Sequence, residues 1–219
     1  MDFTTHKVLK IYDEAMLEKA SGLKNIRDLE SAVYDDVTDT VYIFSGSCSS
    51  TPAIFRLTRD ANGEFTLNNN DNLTDSYKLK KEFQAAQFID GEFIVSRGND
   101  LFIYDFESKK LSDVLFSTTK AQGKVYGIGY EKDGIMWIVT SKNRLIKVDW
   151  YNSKFLEEYA MADKDSTETY NGVYDTRGLE IINNQIYILE GMNAASKKGE
   201  AIAPYGNALK NSIHIYNIP

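Results

Sequence analysis

The chain has 219 residues, with 25 Lys and Arg against 32 Asp and Glu, and a formal net charge of −7. This length suits one large domain or two small ones, and 42% hydrophobic residues are enough to bury a core. The negative charge argues against nucleic acid as a partner, since phosphate binding needs a basic surface. The single cysteine, Cys48, excludes an intrachain disulfide and a cysteine-based zinc cluster.

The start of the chain shows neither a targeting signal nor a membrane segment. No apolar run approaches the ~20 residues that span a bilayer, and the first residues lack the apolar stretch of a signal peptide. We therefore expect no membrane partner, and either a cytoplasmic protein or an exported bacterial protein whose signal has been removed. Residues 7–12 predict a strand, and the helix formers in residues 13–20 indicate a short helix or a polar connector.

A degenerate repeat occupies the rest of the chain. Each of four copies predicts a strand, a tight turn, a second strand and then a third strand. The turns are Asp-rich at 35–39, Asp-Gly at 90–91 and 133–134, and Asn-Asn at 183–184; these residues tolerate the positive φ of hairpin turns. Three copies continue into a predicted fourth strand, at residues 65–67, 113–116 and 155–159.

The repeating unit is therefore a four-stranded antiparallel meander, and its repetition predicts a small all-β protein, a β-propeller with four blades. The last copy stops after its third strand at residues 213–217, and we expect the strand at 7–12 to complete that sheet. Such closure hides a sheet edge and makes residues 1–219 a single propeller domain. A β-sandwich or an open barrel is the alternative, because both also contain regularly spaced short strands.

Two polar segments do not fit the meander, at residues 162–175 and 191–211. Long loops in compact domains are usually functional or disordered. Tyr174 and Tyr205 lie in these segments among Asn residues, a combination typical of recognition surfaces. The alternative is that each loop folds onto its own sheet.

A short motif resembles one group of propellers. Residues 28–35, DLESAVYD, precede the strand at 41–44, and residues 177–180, RGLE, look like a second copy. The pattern resembles the esterase-like phytase and SdiA-regulated families, in which D-L-E-G-hydrophobic-x-x-D often opens a blade. Ser31 stands where those families often have Gly, and their rings usually have five or six blades. The resemblance implies a propeller and leaves both the activity and any calcium site open.

The first strand of each propeller blade lines the central channel. Aligning the four copies puts four residues at equivalent positions: Glu30, Gln87, Gly129 and Glu180. Two carboxylates facing one axis would suit Ca²⁺, which takes several oxygen ligands, and without a metal we expect a raised carboxyl pKa. The alternative is that the two carboxylates form structural salt bridges with nearby arginines, namely Arg27, Arg97 or Arg177.

Nucleophilic catalysis has little support in the sequence. The segment 45–50, SGSCSS, does not match the G-x-S-x-G pattern, and only His6 and His214 are available as bases. Cys48 has no adjacent cation to lower its pKa. We therefore predict no catalytic residue of this kind.

These features predict a non-enzymatic ligand- or protein-binding β-propeller, expected to be a monomer, with its site at the channel mouth. The predicted binding residues are Glu30, Gln87, Glu180, Arg177, Tyr174 and Tyr205. The expected partner is a small molecule or a protein, with no cofactor, or with Ca²⁺ held by Glu30 and Glu180. The alternative is a divalent-metal-dependent hydrolase of the phosphate-ester or lactone type that uses the same carboxylates.

Overall fold

The structure is a computed structural model that describes residues 12–26, 29–45, 53–67, 83–161, 173–193 and 212–218. Residues 173–177, 190–193 and 212 are described by their backbone alone. The chain divides into two compact units, Met1–Phe83 and Gln84–Pro219. That residues 1–219 form a single domain stays a prediction.

The described residues of the first unit form one helix, α1 (Glu14–Ser21), and one antiparallel sheet in the order β1-β2-β3-β4. Its strands are β1 (Leu29–Asp35), β2 (Thr40–Ser45), β3 (Ile54–Arg59) and β4 (Phe65–Thr66). The Asp13 side chain caps α1 by accepting a hydrogen bond from Met16 N–H at 2.9 Å, and Gly22 ends the helix with φ 73. The helix predicted as one alternative for residues 13–20 is therefore confirmed. Its buried Leu17 packs with Phe55 and Leu57 of the sheet.

The second unit contains three antiparallel sheets. The first comprises β5 (Ala86–Ile89), β6 (Glu92–Arg97), β7 (Asp100–Asp105), β8 (Lys110–Leu111) and β9 (Phe116–Ser117). The second comprises β10 (Val125–Lys132), β11 (Ile135–Thr140), β12 (Arg144–Asp149) and β13 (Lys154–Ala160). In the described residues the third comprises β14 (Val173–Ile182), β15 (Gln185–Asn193) and β16 (Ser212–Asn217). The strand predicted at 7–12 lies outside the described residues except for Tyr12.

Hairpin turns join the first two strands of each sheet where the sequence predicts them. The two-residue turns between the first and second strands of each sheet in the second unit have positive φ at both positions, in Asp90–Gly91, Asp133–Gly134 and Asn183–Asn184. These dihedrals match the twist of the flanking strands, which is why Asp, Asn and Gly occupy them. The strands after these turns are buried on both faces at their centres, as Ile138 and Val139 of β11 illustrate.

Two clusters of buried side chains hold the sheets of the second unit together. Ile89 and Ile94 of the first sheet pack with Ile128, Ile138 and Val148 of the second. A separate cluster joins the second and third sheets through Trp137, Val139, Leu179, Ile186 and Ile188. Face-to-face burial of this kind supplies most of the stabilisation of stacked sheets.

The fourth strand predicted at 113–116 differs from the structure. It is replaced by two short strands, β8 and β9, which both pair with β7. The Ser112 hydroxyl accepts a hydrogen bond from Ile103 N–H at 3.0 Å, and Leu115 N–H then donates to Leu101 O at 2.9 Å. The chain between them bulges outward and exposes Val114, because the Ser112 side chain has taken the place of a backbone partner.

In three of the four sheets, an aspartate at or immediately after the end of the third strand accepts backbone hydrogen bonds from the turn that follows. Asp105 accepts hydrogen bonds from the N–H groups of Glu107 and Ser108, and Asp149 accepts from Asn152. These bonds lower the pKa of both carboxyl groups, mainly through Ser108 for Asp105 and the Asn152 amide for Asp149. Asp60, immediately after β3, accepts the N–H groups of Asn62 and Glu64 in a similar way.

The predicted fold class is confirmed. The described residues are all-β apart from α1, and their four small antiparallel sheets are the blades of a four-bladed β-propeller. In the part of the chain that the structure describes, no helix combines the length and the apolar character needed to cross a bilayer.

Candidate functional site

Strand register makes three of the predicted channel positions equivalent. Equivalent positions in the first strands are those that pair with the third residue of the second strand of the same sheet. These pairs are Gln87 with Ile94, Gly129 with Trp137 and Glu180 with Tyr187. The alignment of Gln87, Gly129 and Glu180 is therefore correct.

The alignment of Glu30 with these residues is wrong. Val33, not Glu30, pairs with Tyr42, the third residue of β2, so a buried valine occupies the equivalent position in β1. Glu30 lies at a register irregularity between Leu29 and Ser31, where β1 bulges. The shared R-x-L-E letters misaligned the copies, because the motif lies three residues further from its hairpin turn in β1 than in β14. Glu30 is half-buried in the first unit, and its part in the site stays a prediction.

Gln87 and Glu180 form a hydrogen-bonded pair in the second unit. The Gln87 amide Nε2 donates to both carboxylate oxygens of Glu180, at 3.3 Å from Oε1 and 3.2 Å from Oε2. The amide is oriented by its own oxygen, Oε1, which accepts the N–H of Phe88 at 3.0 Å. The amide N–H side therefore faces Glu180, and the carboxylate is held between two first strands, β5 and β14.

The charge on Glu180 is incompletely compensated. Although the residue is exposed overall, the protein around its carboxyl group removes enough water to raise the pKa of that group. Hydrogen bonds from Ile181 N–H, at 3.0 Å, and from Gln87 oppose this rise and are the weaker influence. Among the residues that the structure describes, Glu180 has no cationic partner, so Arg97 does not pair with it as one alternative supposed.

Two glycines of β10 let β14 come close. A Cβ atom at Gly127 would lie 2.9 Å from the backbone nitrogen of Leu179. One at Gly129 would lie 2.0 Å from Cδ2 of Leu179, so the Leu179 side chain fills the space that Gly129 leaves. The strand that carries Glu180 thus lies with its backbone directly against β10 at Gly127, and its Leu179 side chain makes the contact at Gly129.

One face of the third sheet of the second unit combines the carboxylate with an aromatic ring and exposed aliphatic groups. Tyr187 is the cross-strand partner of Glu180, so the two side chains share a face, and Ile215 pairs with Tyr187 on the same side. Four aliphatic residues of this face are exposed: Ile182 42%, Leu189 44%, Ile213 55% and Ile215 55%. We call this surface the Glu180 face. The opposite face is buried through Leu179, Ile186 and Ile188.

The other predicted site residues are only partly described. Tyr174 and Arg177 lie in β14, where the backbone alone is described, and Arg177 falls at a register irregularity between Thr176 and Gly178. Tyr205 and the loop segments 162–172 and 194–211 lie outside the described residues. Within the described ranges, no group of three or more His, Cys, Asp or Glu side chains could hold a metal ion.

Sequence reasoning missed a second polar cluster. The hydroxyls of Tyr130 and Tyr151 both donate to the Oδ2 atom of Asp90, the first at 2.9 Å. These bonds link the β5–β6 turn of one sheet to β10 and to the β12–β13 turn of the next sheet. The pKa of Tyr151 is raised chiefly by its hydrogen bond to Asp90, and that of Tyr130 chiefly by burial. Asp90 was predicted only as a turn residue, and nothing in the sequence pairs it with tyrosines 40 and 61 positions away.

Comparison with known proteins gives similarity at low identity. No protein-family model matches the chain, and no curated protein matches it. Among solved structures, the computationally designed Ika4 protein is similar over 91% of this chain and 98% of its own, with 13% identity and a TM-score of 0.47. The designed Ika8 protein is 12% identical over 79% of this chain and 45% of its own, with a TM-score of 0.42. The WD40 domain of Neurospora crassa Pan2 is 9% identical over 76% of this chain and 44% of its own, with a TM-score of 0.45. The fold class rests on the four sheets themselves.

Proposed function

We propose that this propeller is a non-enzymatic binding protein whose site is the Gln87–Glu180 pair together with the Glu180 face. The observation that carries the proposal is the partly desolvated carboxyl group of Glu180, a residue that is otherwise exposed. Neutral donors hold this group in place, and exposed Ile182 and Leu189 lie on the same face. A fixed polar group beside apolar surface is the usual composition of a binding site.

A hydrolase has no specific observation in its favour. Metal-assisted hydrolysis needs several ligands around one ion, and the described residues offer no such group. Gln87 also presents N–H rather than oxygen to Glu180, which suits a carboxylate and not a metal ion. The likeness of the D-L-E segment to the esterase-like phytase and SdiA-regulated families enters this proposal only as a resemblance in fold.

The expected partner is a small molecule or a protein. The exposed aliphatic residues Leu189, Ile213 and Ile215 would contact its apolar part, and Glu180 its polar part. We keep the expectation of a monomer, which light scattering at increasing protein concentration would test. Self-association that is lost on Ile213→Ser would show that a second copy is the partner.

The experiment that tests the function is a ligand screen with matched variants. Compounds that raise the melting temperature of the wild type are retested on Glu180→Gln and on Glu92→Gln, a control carboxylate exposed on β6. We expect at least one hit to lose its effect with Glu180→Gln and to keep it with Glu92→Gln. Hits that are indifferent to Glu180→Gln and to Ile213→Ser would place binding elsewhere and refute the site.

A further inference from the structure

We propose that the Glu180 site takes an organic cation, an ammonium or guanidinium group carried on an aliphatic stem. The inference deepens the proposed function and rests on it. Its basis is the arrangement of three side chains on the described part of the second unit: the Glu180 carboxylate, the Gln87 amide that orients it, and the Tyr187 ring beside it.

The carboxylate has hydrogen-bonding capacity left for a cation. An ionised carboxylate offers about four acceptor positions on its two oxygens. Among the described residues, the donors to Glu180 are the shared Gln87 Nε2 and Ile181 N–H, and both are neutral. A bound cation would form charge-assisted hydrogen bonds at the remaining positions and would offset the desolvation that raises the carboxyl pKa.

The oriented amide selects against other kinds of ligand. The Gln87 amide turns its N–H side toward Glu180 and its oxygen toward Phe88 N–H, so it does not present an oxygen ligand to a hard metal ion at the carboxylate. An anionic ligand would be repelled by the carboxylate and by the net charge of −7. An ammonium or guanidinium group needs acceptors only, and Glu180 supplies them.

The neighbouring side chains suit the rest of such a ligand. Tyr187 is the cross-strand partner of Glu180, and the face of an aromatic ring attracts a cation within about 6 Å. Ile182 lies two positions further along β14 on the same face and is 42% exposed, so an aliphatic stem would cover it. The same chemistry occurs in a free alkylamine and in a Lys or Arg side chain of a protein.

The test compares probes that differ only in charge. Hexylammonium, hexylguanidinium, 1-hexanol and hexanoate are titrated into the full-length protein, and binding is followed through the backbone amide NMR signals of Gln87, Ile181 and Tyr187. We expect the two cations to bind, with about tenfold weaker affinity in Glu180→Gln, as expected from the loss of one charge-assisted hydrogen bond. Glu92→Gln serves as the control and should bind like the wild type.

A second variant and a peptide complete the test. Tyr187→Leu should weaken cation binding and leave hexanol binding unchanged, which keeps the proposal testable if Glu180→Gln folds poorly. Tighter binding of the peptide acetyl-Leu-Lys-Leu-amide than of hexylammonium would identify a protein side chain as the source of the cation, and the reverse order a free amine.

Two outcomes separate this inference from the proposed function. Equal binding of hexanol and hexylammonium, unaffected by Glu180→Gln, would overturn the cation and leave the Glu180 face as a binding surface. No binding of any probe at about 10 mM, far above the Kd of a weak site, would overturn both.

Discussion

The Gln87 amide donates to both oxygens of the Glu180 carboxylate, at 3.3 and 3.2 Å, between residues 93 positions apart in the sequence. The contact joins the first strands of two different sheets, and β10 contacts both of those strands. It therefore places an acidic group where three sheets of the second unit meet. The consequences for stability and for binding are measurable.

Glu180→Gln is expected to stabilise the protein at neutral pH. Because the carboxyl pKa is raised above its ordinary value of 4.5, the charged form is less favoured in the folded than in the unfolded chain. The wild type thus gains stability as the pH falls through the raised pKa, and the variant does not titrate. Urea unfolding at about pH 7 and pH 4 should show an advantage of the variant that shrinks at the lower pH. An advantage of equal size at both pH values would contradict the raised pKa.

Asp149 is expected to stabilise the β12–β13 turn in its ionised form. Its pKa is lowered below 3.8 by hydrogen bonds from Asn152, so the stabilisation is present above 3.8 and is lost as the pH falls through the folded pKa. Asp149→Asn keeps an acceptor for the turn and removes the titration, whereas Asp149→Ala removes both. We expect the wild type to exceed Asp149→Asn at about pH 6 and to match it at about pH 2 in urea unfolding. A pH-independent difference would assign the effect to geometry alone.

Gly127→Ala is expected to destabilise the second unit by about 1–3 kcal/mol, the usual effect of overpacking a core. The new methyl group would lie 2.9 Å from the Leu179 nitrogen, and backbone atoms cannot move aside as a side-chain end can. Gly178→Ala is the matched control, because Gly178 pairs with Leu189 as Gly127 pairs with Val139. Its Cβ would find its nearest neighbour at 3.6 Å, so we expect little change. Similar losses in both variants, measured by denaturant unfolding, would mean that the close approach is not the cause.

Tyr151 is expected to ionise at a higher pH than ordinary tyrosines. Its hydroxyl donates to Asp90, and loss of that proton would bring two negative charges together. The protonated hydroxyl therefore stabilises the fold below pH 10, and this contribution is lost as the pH rises through the raised pKa. NMR titration of tyrosine ring carbons should show the signal assigned by Tyr151→Phe moving last. Asp90→Asn should bring its pKa back toward 10.

Calcium at about 5 mM is expected to leave the melting temperature unchanged. The Glu180 oxygens already accept N–H groups, and no group of three ligating side chains lies together among the described residues. The double variant Glu30→Gln/Glu180→Gln is the control for unspecific salt effects. A rise in the wild type that disappears in the double variant would establish the calcium site proposed from the sequence.

The architecture was largely predictable because its signals are local. Asp-Gly and Asn-Asn turns with positive φ mark the hairpins at Gly91, Gly134 and Asn184, and alternating apolar residues define the strands between them. The failure at 113–116 has a side-chain cause: Ser112 replaces a backbone partner and divides the strand. Such competition depends on which group approaches in three dimensions, so the strand pattern does not show it.

The candidate site was predictable only where register followed the turn. Gln87 and Glu180 each lie three residues before the first residue of a two-residue hairpin turn, and their equivalent strand pairing confirms the alignment of these two copies. Glu30 was misplaced because its motif lies three residues further from the hairpin turn than the motif of β14 does, so the shared letters do not share a register. The Asp90–Tyr151 contact and the Glu180–Tyr187 pair depend on packing and strand partners that sequence spacing does not reveal.

The glycines of β10 also determine how the second unit opens. With no side chain at Gly127 between β10 and the backbone of β14, neither strand can leave its sheet without disturbing the other. We therefore expect the two sheets to open as one cooperative unit, with amide hydrogens that exchange with a common free energy. A ligand held by Glu180 would consequently slow exchange throughout β10, and this protection would report occupancy of the site.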